Sequence, residues 1–332
     1  MSTENLLQVT GLKKYYPAGS DLFGRNKRYV KAVDGINLTI RRGETLGLVG
    51  ESGCGKSTFG KSVLRLIEPT EGQVIFEGQD ILKLPPSQMR EMRKRMQIVF
   101  QDPYSSLNPR MTVFETVRAP LDAFGIGTKK EREKKVMELM EYVGLSPYQM
   151  HRYPHEFSGG QRQRMIIARA LVLEPSFIVC DEPVSALDVS IRSQVLNLMQ
   201  DIQQERGLTY LFISHDLSVV KHISDQVAVM YLGRIVECAS RSQLFSNPQH
   251  PYTQALMSAI PIPDTERKRK RMVLTGDVPS PLAPPSGCHF HTRCPYAAAR
   301  CAEEAPDLQE TEPGHWTSCH LCGKLKQKEG TR

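Results

Sequence analysis

Gly50-Glu51-Ser52-Gly53-Cys54-Gly55-Lys56-Ser57-Thr58 follows the apolar run Thr45-Leu46-Gly47-Leu48-Val49. The run reads as a strand and the residues after Lys56 as a helix. Between them stands the phosphate-loop spacing G-x-x-x-x-G-K-[ST]. Gly50, Gly53 and Gly55 remove side chains where backbone N–H groups must turn inward onto phosphate oxygens. Lys56 brings a point charge for the β- and γ-phosphates, and Ser57 a hydroxyl for Mg²⁺. Ser52 and Thr58 complete the nucleotide-contacting stretch. The strand–loop–helix order aims a helix N-terminus at the anion. Cys54 reads as a bystander. The stretch is expected to bind a nucleoside triphosphate.

Outward from the loop, residues 7–50 alternate apolar and polar with β-branched enrichment, as in Val33-Asp34-Gly35-Ile36-Asn37-Leu38-Thr39-Ile40. They predict an antiparallel layer, interrupted by a polar loop from Pro17 to Arg28. A helix is expected from Lys56 to Ile67 and a short strand over Gly72–Gly78. Residues 102–172 are helical in pattern. Lys129 to Val143 is amphipathic, with Val136, Leu139, Met140 and Val143 on one face. Residues 177–231 alternate strand and helix with near-continuous apolar runs, which suit a parallel sheet covered on both faces. The core is therefore read as α/β.

The 332 residues exceed one compact domain of ordinary size and predict a large domain with an appendix. Composition is that of a globular protein, 40% hydrophobic and 24% charged. No apolar stretch approaches the ~20 residues that span a bilayer. Met1-Ser2-Thr3-Glu4-Asn5 lacks the regions of a secretory signal, so a cytosolic location is expected. The net charge of +7 resides partly in Arg93-Lys94-Arg95, Lys129-Lys130 and Arg267-Lys268-Arg269-Lys270-Arg271. Aromatic residues do not interleave these runs, which argues against a single-strand nucleic-acid surface. They read as solvated faces and a charged linker, with anionic lipid headgroups as the functional alternative.

Phe157-Ser158-Gly159-Gly160-Gln161-Arg162-Gln163-Arg164 resembles the signature of the ABC ATPases, and the supporting motifs fall in that family's order. Gln101, after Ile98-Val99-Phe100, resembles the Q-loop. Phe177-Ile178-Val179-Cys180-Asp181-Glu182 resembles a Walker B strand. Ser185-Ala186-Leu187-Asp188 resembles the D-loop, and His215, after Leu211-Phe212-Ile213-Ser214, the switch histidine. The resemblance implies an ABC-type P-loop NTPase core of parallel sheet plus antiparallel β layer, with a helical subdomain and a small C-terminal cysteine-containing domain. It implies Ser57, Gln101 and Asp181 as the Mg²⁺ shell and Glu182 as general base. His215 would contact the γ-phosphate. Tyr16 would stack on adenine, with Tyr15 as the alternative because a one-residue slip flips the face. Ser158, Gly159, Gly160 and Gln161 would act on the ATP of a second ATPase domain in a head-to-tail dimer, with Asp188 in the D-loop.

The same signature region, Gln101–Arg110 and Asn247-Pro248-Gln249-His250-Pro251-Tyr252-Thr253 resemble the second ATPase subunit of bacterial dipeptide/oligopeptide importers, over residues 6–322. This implies two transmembrane permeases, an extracytoplasmic peptide-binding protein, a paralogous ATPase and a place at the cytoplasmic face of the inner membrane. Nucleic acid is not among the expected partners. The implied organisation is a core of 1–100 and 173–240, a helical subdomain of 101–172, an extension and linker of 241–285, and a cysteine-rich module of 286–332. Five of the eight cysteines lie in that tail. Cys288, Cys294, Cys301 and Cys319, spaced C-x5-C-x6-C-x17-C, resemble the subfamily's four-cysteine pattern, associated there with a [4Fe–4S] cluster. Four thiolates also suit Zn²⁺. Relatives importing nickel chelates, and an ATPase serving a soluble phosphonate carbon–phosphorus lyase, remain alternative functions.

Overall fold

The computed structural model describes residues 4–20, 27–260, 272, 274 and 276–322. The chain divides into two compact units, one within residues 1–6, 40–45 and 76–213, the other within 7–39, 46–75 and 214–332.

The first unit is built on parallel strands. Met96–Val99 pairs with Phe177–Asp181, which pairs with Thr209–Ser214, so that Asp181 lies opposite Ile213. Every residue of the latter two strands is buried. That explains why their sequences are continuously apolar rather than alternating. The helices Val113–Phe124, Lys129–Tyr142 and Gly159–Leu171 pack on one another, and Val189–Arg206 packs on the last of them. Thr112 and Thr128 open the first two with reciprocal capping boxes to Glu115 and Glu131. Val136, Leu139, Met140 and Val143 are all buried, as their spacing predicts.

The second unit carries an antiparallel layer. Asn5–Ser20 lies between Lys27–Arg41 and Glu71–Phe76. Thr70 N–H donates to Lys13 O. The expected loop over residues 17–28 is corrected: residues 17–20 and 27–28 are strand, and 21–26 lie outside the described residues. The helix after the phosphate loop is also shorter than expected. It ends at Val63 because Arg65 turns to φ 49° and Leu66 N–H returns to Lys61 O.

In the same unit Thr45–Val49 pairs in parallel with Gln226–Tyr231. Leu232 (φ 41°) and Gly233 (φ 81°) then make a two-residue turn into the antiparallel Arg234–Ser240. Two positive φ values give the turn twist that matches a hairpin. His315–Thr317 adds alongside Arg234–Ser240, and Gln309–Glu312 alongside His315–Thr317. Residues far down the chain thus extend the sheet that bears the phosphate loop.

Glu237, fully buried, organises this extension. Its carboxylate accepts from Gln249 N–H (2.7 Å), His250 N–H (2.9 Å) and His315 Nε2 (2.7 Å). A buried carboxylate persists only with such partners. Beside it Tyr231, Tyr252 and Phe290 form a ring cluster with centroids 4.7–5.4 Å apart. Each such pair adds about 0.5–1.5 kcal/mol beyond area burial.

His250 caps the helix Pro251–Ser258 through Nδ1, which accepts from Tyr252 N–H. Burial lowers its pKa from 6.5 to about 4, Glu237 opposing only in part. Below pH 6.5 the unfolded chain takes up a proton that the folded chain refuses until about pH 4. Folded-state stability therefore falls as pH drops through that window, by up to about 3 kcal/mol. His250→Asn keeps a capping acceptor but cannot titrate. Thermal melts on either side of the window should show a flatter pH dependence for this variant; an unchanged slope would assign the titration elsewhere.

Candidate functional site

The phosphate loop is held from outside. Cys54 O accepts from Gly233 N–H (2.9 Å), and Asp34 N–H donates to Gly233 O (2.9 Å). The second hairpin strand and the antiparallel layer thereby meet at the loop's flank. Gly55 stands at φ 108°, where a Cβ would run into the carbonyl oxygen of Ala32. Only glycine fits that approach. Gly50, Ser52 and Gly53 form the loop's arm, with Ser52 and Gly53 exposed at its crest. Lys56, Ser57 and Thr58 occupy the first turn of the helix Lys56–Val63, whose N-terminal N–H groups face the loop. Lys56 is 5% exposed, and its Nζ donates to Gly50 O (2.7 Å) and Glu51 O (2.9 Å). These bonds fix its amine at the mouth of the loop. Cys54 is buried, with Sγ 3.8 Å from Lys56 Nζ, and burial raises its pKa.

Two side chains absent from the motif reach the same loop. Glu51 N–H donates to Tyr252 Oη at 2.9 Å. Its carboxylate accepts both guanidinium nitrogens of Arg293, at 2.7 and 3.1 Å. The sequence offers no local signal for either, since the partners lie 201 and 242 positions away. Tyr15 is engaged elsewhere: its hydroxyl donates to Asp34, whose other oxygen accepts from both Arg234 Nε (2.9 Å) and Nη2 (2.7 Å). Tyr16 points to the opposite side of the strand, with Lys14 Nζ 4.9 Å over its ring. His215 sits on the link between the strand Thr209–Ser214 and the helix Leu217–Ile223, where Asp216 caps Ser218 and Val219 N–H.

In the other unit, Asp181 ends its strand at 5% exposure and Glu182 follows it. Glu182 has φ 50°, a left-handed conformation unusual for a side-chain-bearing residue. Its N–H donates to Ile213 O (3.0 Å), and its carbonyl accepts from Ser185 Oγ (3.1 Å). Its carboxylate accepts Gln101 Nε2 at 2.9 Å. Strain held by surrounding bonds is common at reacting centres. The geometry therefore brings Gln101 to Glu182 and engages its amide nitrogen there.

The signature forms the start of the helix Gly159–Leu171. Ser158 is its N-cap: Oγ accepts from Gln161 N–H, and Gln161 Oε1 accepts from Ser158 N–H. A Cβ at Gly160 would collide with Ile191 Cγ2, so this glycine lets two helices close. Asp188 occupies the N-cap position of Val189–Arg206 without a side-chain cap, its carboxylate exposed.

The tail cysteines are free thiols. Cys288 N–H donates to Cys301 O (2.8 Å), and Cys294 N–H to His291 O (3.3 Å), which folds residues 288–301 into one knot. Burial raises the Cys288 thiol and pushes Cys294 up to about 11. Charges at Cys301 and Cys319 act on both. Burial leads both shifts, and a thiol held protonated is a poor nucleophile. Thiolates as a ligand type suit a thiophilic metal. Among the described residues, however, no group of three or more His, Cys, Asp or Glu is arranged to hold a metal ion, so the four-cysteine centre expected from the sequence is not seen assembled.

Residues 33–185 match the ABC transporter family model, and residues 236–301 the oligopeptide/dipeptide transporter C-terminal region. The oligopeptide transport ATP-binding protein AppF of Bacillus subtilis (strain 168) is 55% identical over 321 residues, covering 96% of this chain and 98% of its own. A putative peptide import ATP-binding protein of Brucella ovis is 56% identical over 319 residues, covering 96% and 98%. Among solved structures, cbiO1 of Clostridium perfringens, part of the ABC transporter complex cbiONQ, aligns with a TM-score of 0.64 at 28% identity, over 74% of this chain and 92% of that one. The ATP-binding cassette MJ0796, dimeric in a post-hydrolysis state bound to ADP and Pi, aligns at 0.62 and 28%, over 71% and 98%. Carrying the phosphate loop, carboxylate strand and signature of that cassette, and relatives more than half identical along nearly their full length, the chain belongs to the ABC transporter ATP-binding proteins with an oligopeptide/dipeptide-transporter C-terminal region.

Proposed function

We propose that this chain hydrolyses ATP to power import of dipeptides or oligopeptides across a bacterial cytoplasmic membrane. The observation that carries the reading is the joining of an intact ATPase cassette to the oligopeptide/dipeptide C-terminal region in one chain. The chain works as a head-to-tail dimer with a paralogous ATPase, beneath two permeases fed by an extracytoplasmic binding protein. No described helix is long and apolar enough to cross a membrane, which accords with separate spanning subunits and a peripheral place at the cytoplasmic face.

Tyr16, whose hydroxyl has no part in the Asp34 network that holds Tyr15, stacks on adenine. Backbone N–H groups from Gly53 to Thr58 take the phosphate oxygens, and Lys56 adds its charge at the β- and γ-phosphates. Ser57, Gln101 and Asp181 supply a hydroxyl, an amide oxygen and a carboxylate, hard oxygen donors that suit Mg²⁺. Mg²⁺ held there would neutralise phosphate charge. Glu182 takes a proton from the attacking water as its oxygen bonds to the γ-phosphorus. The bond from that phosphorus to the β–γ bridging oxygen breaks, and ADP carries the electron pair away. Gln101 aims the Glu182 carboxylate, and His215 hydrogen-bonds the γ-phosphate. Ser158, Gly159, Gly160 and Gln161 cover the ATP of the partner ATPase, with Asp188 beside that seam.

The Cys288, Cys294, Cys301 and Cys319 thiols would hold a [4Fe–4S] cluster in a structural role, Zn²⁺ being the alternative. A small module with little apolar core would gain stability from such a centre.

Three outcomes follow. Glu182→Gln should lower kcat about 10²–10⁴-fold while ATP affinity holds within about threefold; a matching loss of affinity would place Glu182 in binding instead. Affinity capture of the tagged chain from detergent-solubilised host membranes should recover two multi-span permeases and a paralogous ATPase. Recovery only with soluble metabolic enzymes would favour the lyase-associated alternative. Protein purified without oxygen should contain iron and acid-labile sulfide; zinc without sulfide would reverse the choice of metal.

A further inference from the structure

The phosphate loop is braced by a part of the chain that the nucleotide chemistry does not require. Tyr252 and Arg293 both lie in the C-terminal region spanning residues 236–301. Arg293 is 7% exposed, and the Glu51 side chain that it clamps is 26% exposed. The pair is bidentate and largely withdrawn from water, unlike surface ion pairs of little worth. The neighbouring Glu51 backbone is fixed twice. Its N–H goes to Tyr252 Oη, and its carbonyl accepts Lys56 Nζ at 2.9 Å. Arg293, Glu51 and Lys56 therefore form a continuous chain of polar contacts ending on the lysine that serves the phosphates.

At its other end this chain enters the cysteine module. Arg293 N–H donates to Phe290 O (3.0 Å), His291 N–H to Cys288 O (3.0 Å), and Cys294 directly follows Arg293. Phe290 is 1% exposed and seated against Tyr231 and Tyr252. The guanidinium is thus carried on the turn that joins Cys288 to Cys294.

We propose that Arg293 is a positioning residue for the phosphate-binding loop, and that through the Arg293–Glu51 pair the cysteine module sets the loop's affinity for ATP. An ordered module holds the loop in its nucleotide-receiving shape. A module that loses its order releases Glu51, and the loop then has to be ordered by ATP itself. Coupling of this kind is reciprocal, so ATP in turn orders the module. The inference rests on the nucleotide reading above and adds regulation of the same site.

The test uses the full-length chain in a Glu182→Gln background, so that nucleotide is not consumed, with calorimetric titration of ATP·Mg²⁺. Arg293→Gln should weaken ATP binding about 5–150-fold, the usual range for coupled sites. Glu51→Gln should do the same, and the double variant should lose no more than either alone. Arg293→Lys keeps the charge without the fork and should fall between. Tyr252→Phe keeps the ring packing and removes only the acceptor for Glu51 N–H; it serves if Arg293→Gln does not fold. Amide exchange across residues 288–294 should slow on adding ATP·Mg²⁺, and this response should vanish in Arg293→Gln. Parity of the folded variants with the parent in ATP affinity would overturn the inference and leave the nucleotide reading intact. Additive losses would also overturn it, since the residues would then act separately. Absence of ATP binding by the parent would overturn both.

Discussion

A loop that offers its backbone N–H groups to phosphate cannot also use those groups to hold its own shape. Residues 50–56 keep one internal backbone bond, Cys54 N–H to Glu51 O at 3.3 Å, and otherwise borrow partners. Gly233 N–H takes the Cys54 carbonyl, Tyr252 Oη takes Glu51 N–H, and Arg293 takes the Glu51 carboxylate. Gly55 lies so close to Ala32 that no side chain fits between the loop and the antiparallel layer. Each contact spares the loop an ordering cost that ligand binding would otherwise have to meet. The rest of the second unit can be understood as the structure that brings those partners to one place.

The C-terminal extension is the costliest of these supports. It buries Glu237 completely and compensates with three hydrogen bonds, from Gln249, His250 and His315. Removing one partner of a buried charge typically costs 3–5 kcal/mol, roughly. The arrangement ties the helix Pro251–Ser258 and the strand His315–Thr317 to one strand of the sheet. The rings of Tyr231, Tyr252 and Phe290 pack together and join that helix to the neighbouring strand Gln226–Tyr231. Packing and polar satisfaction thus converge on the tyrosine whose hydroxyl meets the loop.

The first unit solves a different problem, the aim of a carboxylate. Glu182 takes a left-handed backbone at φ 50°, held by Ile213 O on one side and Ser185 on the other. Gln101 then fixes its side chain at 2.9 Å. The signature serine meanwhile caps its own helix, so its orientation is set by the capping box rather than by a ligand.

The nucleotide chemistry, the α/β class and the family are legible in the chain alone. Those signals are local: a phosphate loop is a contiguous backbone device, and the carboxylate strand and signature each occupy a few adjacent residues. Helix faces such as Val136, Leu139, Met140 and Val143 were legible for the same reason, since periodicity is a short-range property. Long-range packing settled which tyrosine is engaged by Asp34, that residues 17–20 and 27–28 continue their strands, and that Arg65 ends a helix early. It also decided that Arg293 and Tyr252 brace Glu51, across 242 and 201 positions. An arginine in a tail or a tyrosine in a helix carries no mark of its partner. That choice follows from where the sheet ends, how the hairpin turns and which strand is added next to it, and these are set by burial over the whole chain rather than by neighbours in sequence.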